Sequence, residues 1–285
     1  MKYLSLTLSL WLSSTTLAWA GDAATLHFLG FSNDGKHLAF EQFGIADGVG
    51  APYAELHLVD VSKNTHLAAP LKQLPNAENP ATEQADTLEA ATDTVRQANL
   101  KAAQEMLTKF QLQHTQTGEQ LVHHLLTDLS VNPFTVHFSP QLPLAGQAYD
   151  EFILHLQEQT VDAKDCIGSG KAKIFSLSLR KKDEKPEQAK ILQADQNLPN
   201  SRGCPTGYRI AEVYLYQEQY LAVFIQLLVP GFEGENLRYL VVTGILPHAE
   251  GQEQMSDAAR DKREAILQKA IDPLEQKKTA AGAQP

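Results

Sequence analysis

Catalytic signatures are missing from this sequence. It contains no G-x-S-x-G nucleophile elbow and no H-E-x-x-H zinc helix. Gly168-Ser169-Gly170-Lys171 has the look of a phosphate loop, but Asp165 stands where the first glycine is required and Ala172 where a hydroxyl is required. Basic excess is missing as well: Lys and Arg number 24 against 34 Asp and Glu, a formal net charge of −10. An acidic surface without a basic stripe repels phosphate backbones. This argues against nucleic acid and anionic membrane surfaces as partners, and the charge is read as serving solubility. Beyond the first twenty residues no run approaches the roughly 18 apolar residues of a membrane-spanning helix, so no membrane insertion is expected there. Cysteine is scarce, with only Cys166 and Cys204 present.

What is present begins at the N-terminus. Lys2 gives a positive start, Tyr3 to Trp11 an apolar stretch, and Ala18-Trp19-Ala20 the small-x-small pattern cut by a signal peptidase. The apolar stretch is shorter than the roughly 20 residues a membrane anchor needs, so residues 1–20 read as a cleavable signal peptide. No cysteine sits at the cleavage point and there is no twin arginine, so the general secretory route and a periplasmic address are expected. Cleavage leaves Gly21 as the first residue and 285 − 20 = 265 residues. In an exported chain two cysteines suggest one disulfide, with two free thiols as the alternative. A Cys166–Cys204 bond would close a loop of 204 − 166 = 38 residues. The chain-entropy estimate for such a loop is at most about 4 kcal/mol.

Thr25 to Phe31 reads as a strand with Leu26, Phe28 and Gly30 on one face. Ser32-Asn33-Asp34-Gly35 reads as a turn and His37 to Gln42 as the return strand. Phe43 to Pro52, with Gly44, Gly48 and Gly50, reads as a loop. Ala54 to Val61 reads as a half-buried strand setting Leu56, Leu58 and Asp60 against Glu55, His57 and Val59. After a polar break from Leu74 to Pro80, Asp86 as N-cap and Glu89 three residues on open a long helix. Its apolar stripe is Leu88, Ala91, Val95, Ala98, Ala102, Met106 and Phe110.

Further strands are expected over Leu121–Leu126, Phe134–Phe138, Tyr149–Gln157 and Ala172–Leu179. The charged stretch Arg180 to Gln188 reads as a hairpin tip with Lys190–Gln193 as its return arm, stapled at the base by the two cysteines. Tyr220 to Val229, between strands at Arg209–Gln217 and Leu237–Leu246, is apolar on both faces and is therefore expected to be central. Together these elements predict an α+β fold: mainly antiparallel sheet in one domain over 21–250, with one long amphipathic helix packed against it. Residues 251–285 are expected to form a polar, weakly helical or disordered tail.

Two resemblances add to this reading. Phe31-Ser32-Asn33-Asp34-Gly35-Lys36-His37-Leu38-Ala39-Phe40 with Leu56-His57-Leu58-Val59-Asp60 resembles one blade of TolB-like β-propellers. A propeller needs typically 4–8 blades, and with no second copy the likeness is assigned to hairpin physics. A wider set of residues resembles a bacterial family of predicted secreted proteins of unknown function. The set comprises Gly30-Phe31-Ser32, Asp34-Gly35, Ala39-Phe40-Glu41, Gly44, Asp47-Gly48, Gly50 and Pro52-Tyr53. It continues with Cys204-Pro205, Gly207-Tyr208, Pro230-Gly231-Phe232-Glu233-Gly234 and Arg238. The resemblance implies a periplasmic address and no activity.

Candidate functional residues are few. The rings of His123 and His124 point to opposite faces of a strand, which disfavours a shared metal. Asp34, Glu41, Asp47 and Glu55 lack the spacing of a calcium loop, and the turn role of Asp34 and Asp47 is preferred. No metal or other cofactor is called for. Phe43, Asp47, Tyr53, Phe232 and Glu233 lie in or beside glycine-rich turns and are expected to line one exposed binding surface. The leading function is therefore a non-enzymatic binding or interaction protein of the cell envelope, its partner an envelope protein or a small ligand. The alternative is an envelope hydrolase built from scattered groups such as His137 or His155 with Glu151.

Overall fold

A computed structural model describes residues 21–73, 87–112, 116–125, 127–141, 149–166, 170–232 and 234–246. Residues 1–20, read as a signal peptide, Asp86, Glu233, and residues 251–285, read as a tail, lie outside them. A first sheet contains β1 (Thr25–Phe31), β2 (His37–Ile45), β3 (Pro52–Asp60) and β4 (Thr65–His66) in that order, with β5 (Leu71–Gln73) also on β3. A central sheet has the order β13 (Glu235–Ile245), β12 (Tyr220–Pro230), β11 (Gly207–Tyr216) and β6 (Glu119–His123). A third has the order β10 (Lys190–Ala194), β9 (Lys171–Lys181), β8 (Phe152–Asp162) and β7 (Thr135–Phe138). All strand pairings within these sheets are antiparallel. With helix α1 (Leu88–Lys109) the fold is α+β, as the sequence predicts.

The layers stack as helix, first sheet, central sheet, third sheet, and alternation along the strands explains why. In β12, Leu221, Val223, Ile225 and Leu227 face the third sheet, where Phe152, Leu154, Phe175 and Leu177 meet them. Ala222 and Phe224 face the other way, onto Phe28, Phe31, Leu38 and Phe40. The expectation that this strand is central therefore holds. Beyond the first sheet, Leu29, Ala39, Leu56 and Leu58 meet α1.

Several local expectations need correction. β1 carries a bulge between Phe28 and Gly30, so Phe31 and not Gly30 joins Phe28 on the inner face. The loop expected at 43–52 is shorter, because β2 runs to Ile45 and β3 begins at Pro52. β3 is not half-buried, since α1 covers one face and the central sheet the other. The helix N-cap is Thr87, whose side chain accepts from the Ala90 N–H. The buried stripe runs through Ala91, Thr92, Val95, Asn99 and Ala103, leaving Ala98, Ala102 and Leu88 exposed. Asn99 sets this rotation: its Nδ2 donates to the Ala54 carbonyl at 3.0 Å, a polar docking that an apolar pattern cannot reveal.

Helix and sheet are also tied by charge. Glu41 is 1% exposed, and its Oε1 receives Arg96 at 2.6 Å and His27 at 2.7 Å. Burial pushes the Glu41 pKa up, but the hydrogen bonds from His27 and Arg96 outweigh it and hold the carboxyl below its ordinary value. A depressed folded-state pKa contributes stability above the unfolded value of about 4.5, and that stability is lost as pH falls below it. Glu41→Gln is expected to cost about 3 kcal/mol at pH 7. It should also flatten the acid limb of stability against pH, measured by urea unfolding.

Cys166 and Cys204 are bonded, with Cα atoms 5.6 Å apart. The bond ties the β8–β9 connection to the segment entering β11, around the β9–β10 hairpin. Reduction, or the Cys166→Ala/Cys204→Ala pair, should lower unfolding free energy by up to about 4 kcal/mol in urea melts. Equal stability of oxidised and reduced protein would contradict this.

Candidate ligand-binding cleft

A cleft of about 960 Å³ opens beside β12 and β13 of the central sheet, between the first sheet and the segment that precedes β11. Its floor is apolar, with Phe40 from β2, Leu227 and Val229 from β12, and Leu240 and Val242 from β13. Pro199, Arg202 and Cys204, from the segment between β10 and β11, line another side. The polar wall comes from β3, β4 and β5. Register sets Lys72 opposite Glu55, and the two pair at 2.9 Å. Gln42 Nε2 donates to the second oxygen of Glu55 at 3.1 Å.

His57 is the buried centre of this wall, stacked on Phe40 with ring centroids 4.4 Å apart and planes 6° off parallel. Its Nε2 stands 3.3 Å from Glu55 Oε2, at ion-pair distance but without the alignment of a formed hydrogen bond. Its Nδ1 stands 3.1 Å from Nε2 of His66, which is exposed at the rim. Burial pushes the Glu55 pKa up, but the nearby His57 imidazole and the bonded Lys72 ammonium outweigh it and hold the carboxyl at about 2. Partial burial lowers the His66 pKa, and the nearby His57 and Lys72 lower it further. A carboxylate, a buried imidazole and a rim imidazole thus form a chain.

The two charged rim arginines are already engaged. Arg202 pairs with Asp195 and lies over Phe175, 4.7 Å from its ring centre. Arg238 pairs with Asp22 and lies 4.5 Å over Tyr53. The Asp22 carboxylate also accepts from the Tyr53 hydroxyl and the Asp47 N–H, each at 3.1 Å.

This Asp22 cluster decides the fate of the surface expected from the sequence. Tyr53 is only 4% exposed, so it supports the fold rather than lining a surface. Phe43 lies under Arg96, 4.0 Å from its ring, on the helix side of the first sheet and away from Tyr53. Phe232 is 80% exposed, and a Cβ on Gly48 would stand 3.3 Å from its ring. The 46–51 loop and the 230–236 turn are therefore neighbours, with Val49 also exposed. Glu233 lies outside the described residues. The histidines expected for a hydrolase are elsewhere. His137 does meet Glu151, at 2.9 Å, but both stand on the third sheet's solvent face beside Lys182. His155 pairs with Thr135.

Residues 39–244 match the family described as Predicted secreted protein (DUF2259). The chain belongs to that family. The match spans the whole cleft from Phe40 to Val242 and stops short of Asp22. No curated protein and no solved structure matches. Among the described residues no helix is long and apolar enough to cross a membrane.

Sequence reasoning missed both Asp22 and the His57–His66 pair. Glu55 and His57 read as the solvent side of a strand because nothing local discloses a second covering layer. In the secreted protein, Asp22→Ala should leave Arg238 and the Tyr53 hydroxyl without their acceptor. It is expected to cost about 3 kcal/mol in thermal or urea unfolding, and Asp22→Asn less, because it keeps an acceptor for Tyr53.

Proposed function

We propose that this protein is a non-enzymatic binding protein of the cell envelope, working in the periplasm, and that its ligand occupies the cleft. The supporting observation is the cleft itself: about 960 Å³, apolar on its floor and polar on one wall. Small-molecule sites are commonly concave and mainly apolar, roughly 300–1,000 Å³ in volume, with a few placed polar groups. Here Glu55, Arg202 and Arg238 are each held by a counter-charge from the fold. Such a wall is pre-organised and presents little net charge, which suits a small ligand with an apolar body and a few hydrogen-bonding groups. The neighbouring Val49 and Phe232 add an exposed apolar edge for a protein partner delivering or receiving that ligand. The hydrolase alternative draws less support, because its His137–Glu151 pair faces open solvent.

Photo-crosslinking residues placed at Lys72 and Leu240, with Lys182 as a distant control, test the cleft. In intact cells the two cleft positions are expected to give a discrete adduct by mass spectrometry and Lys182 none. Uniform labelling at all three positions, or no adduct in the cleft, would reject the proposal. Phe232→Ala should leave the melting temperature unchanged, since the ring is exposed.

A further inference from the structure

We propose that His57 and His66 form a site for a divalent first-row transition ion, with Cu²⁺ and Zn²⁺ as the ions it takes. The proposal concerns the same cleft, but ion binding does not require that a larger ligand sits there; that reading decides only what fills the open coordination positions.

Strand register creates the pair. His66 on β4 lies opposite Val59 on β3, and His57 is two residues from Val59 on the same face. The diagonal brings Nδ1 of His57 within 3.1 Å of Nε2 of His66. Two imidazole nitrogens on one ion, each about 2.0–2.1 Å from it, lie about 2.9 Å apart at a right angle and about 3.4 Å apart at a tetrahedral angle. The observed separation falls between these limits, so an ion replacing the shared proton needs the two rings to turn until both lone pairs converge on it, without the nitrogens moving apart.

The surroundings of His57 are those of a metal-ligating histidine. The nitrogen that would not touch the ion, Nε2, is buried, lacks a formed hydrogen bond and stands 3.3 Å from Glu55 Oε2. A ligating histidine characteristically directs its second N–H at a carboxylate, which fixes the tautomer and raises basicity. Glu55 is held for that role by Lys72 and Gln42. The Phe40 stack fixes the ring plane. His66, at the rim, supplies the second nitrogen. Imidazole favours copper, zinc and nickel over magnesium and calcium. Among the described residues no third His, Cys or carboxylate converges with this pair. The remaining positions on the ion would therefore be taken by water or by a donor atom of a molecule in the cleft.

The test uses the full exported chain, titrated with Cu²⁺ by calorimetry and examined by electron paramagnetic resonance. One ion per chain is expected, with hyperfine structure from two nitrogens. His66→Ala should abolish this site and its two-nitrogen signature; because it also removes the Nδ1 partner of buried His57, its own ion-free melting temperature serves as the baseline. Glu55→Gln should weaken the affinity about 10–100-fold. Zn²⁺ should raise the melting temperature of the parent protein but not of His66→Ala, and Ca²⁺ of neither. If no ion binds stoichiometrically, or if His66→Ala keeps the same affinity and spectrum, the pair merely shares a proton and the proposal is wrong. An equal shift with Ca²⁺ would also overturn it. Ion binding with no crosslink at Lys72 or Leu240 would instead reject the cleft's wider role and leave the ion site standing.

Discussion

A central sheet that must bury both of its faces organises this molecule. β12 has no polar side: Leu221, Val223 and Ile225 point one way, Ala222 and Phe224 the other, and all are below 1% exposed. Burial of a side chain of this size is worth about 1.5–3 kcal/mol, so neither face can be left in water. The third sheet covers one face and the first sheet the other. The first sheet then has an outer apolar face of its own, which the helix closes. The helix also brings Arg96 to the buried Glu41, so its docking depends on polar as well as apolar contacts. Removal of the central layer would leave two half-cores without a partner.

Layering leaves a further problem at the edge strand β13, whose outer N–H groups need acceptors. The first layer supplies them through irregular groups rather than another strand. The Asp22 carbonyl accepts from the Leu237 N–H at 2.8 Å, the Gln42 side chain from Tyr239 at 2.7 Å, and the Asn64 side chain from Thr243 at 2.9 Å. Edge capping by one carbonyl and two side chains links β13 to the first layer, and Gln42 and Asn64 among these caps also line the cleft. The Asp22 carboxylate explains why the Asp47–Tyr53 and Pro230–Arg238 blocks, far apart in sequence, go together: both end on it. At Gly21 a Cβ would stand 2.0 Å from the Glu235 carbonyl oxygen, so only glycine fits beside this clamp.

Most strands were legible because a two-residue period survives wherever one face is buried. β8 and β9 follow it closely, with Phe152, Leu154 and Leu156 beside Phe175, Leu177 and Leu179 on the sheet face that meets the central layer. Where a bulge intervenes the period breaks. Tyr208 and Ile210 share a core with Val213 and Leu215 because β11 shifts register between Ile210 and Glu212. The helix was legible as a helix, but its face was misread by about one residue because buried Asn99 does not register as apolar. The cleft was not legible. β4 is two residues long, too short for any pattern, and the meeting of His66 with His57 depends on a register that only the folded β3–β4 turn sets.

The cleft chemistry follows from how its polar residues are shared out. A histidine buried on a strand normally costs stability unless both ring nitrogens find partners. His57 gains stacking on Phe40 and proximity to Glu55, yet its Nε2 lacks an aligned bond and its Nδ1 has only another imidazole. One hydrogen bond to another imidazole and a misaligned carboxylate satisfy this buried ring only in part, and an apolar residue there would pack on Phe40 equally well. Nearby charges show the opposite economy, each with a counter-charge from the same fold: Lys72 on Glu55, Arg202 on Asp195, Arg238 on Asp22. Among the described residues of this wall, His57 is therefore the group the fold satisfies least, and the shortfall lies at Nε2, beside Glu55, rather than at the Nδ1 that meets His66.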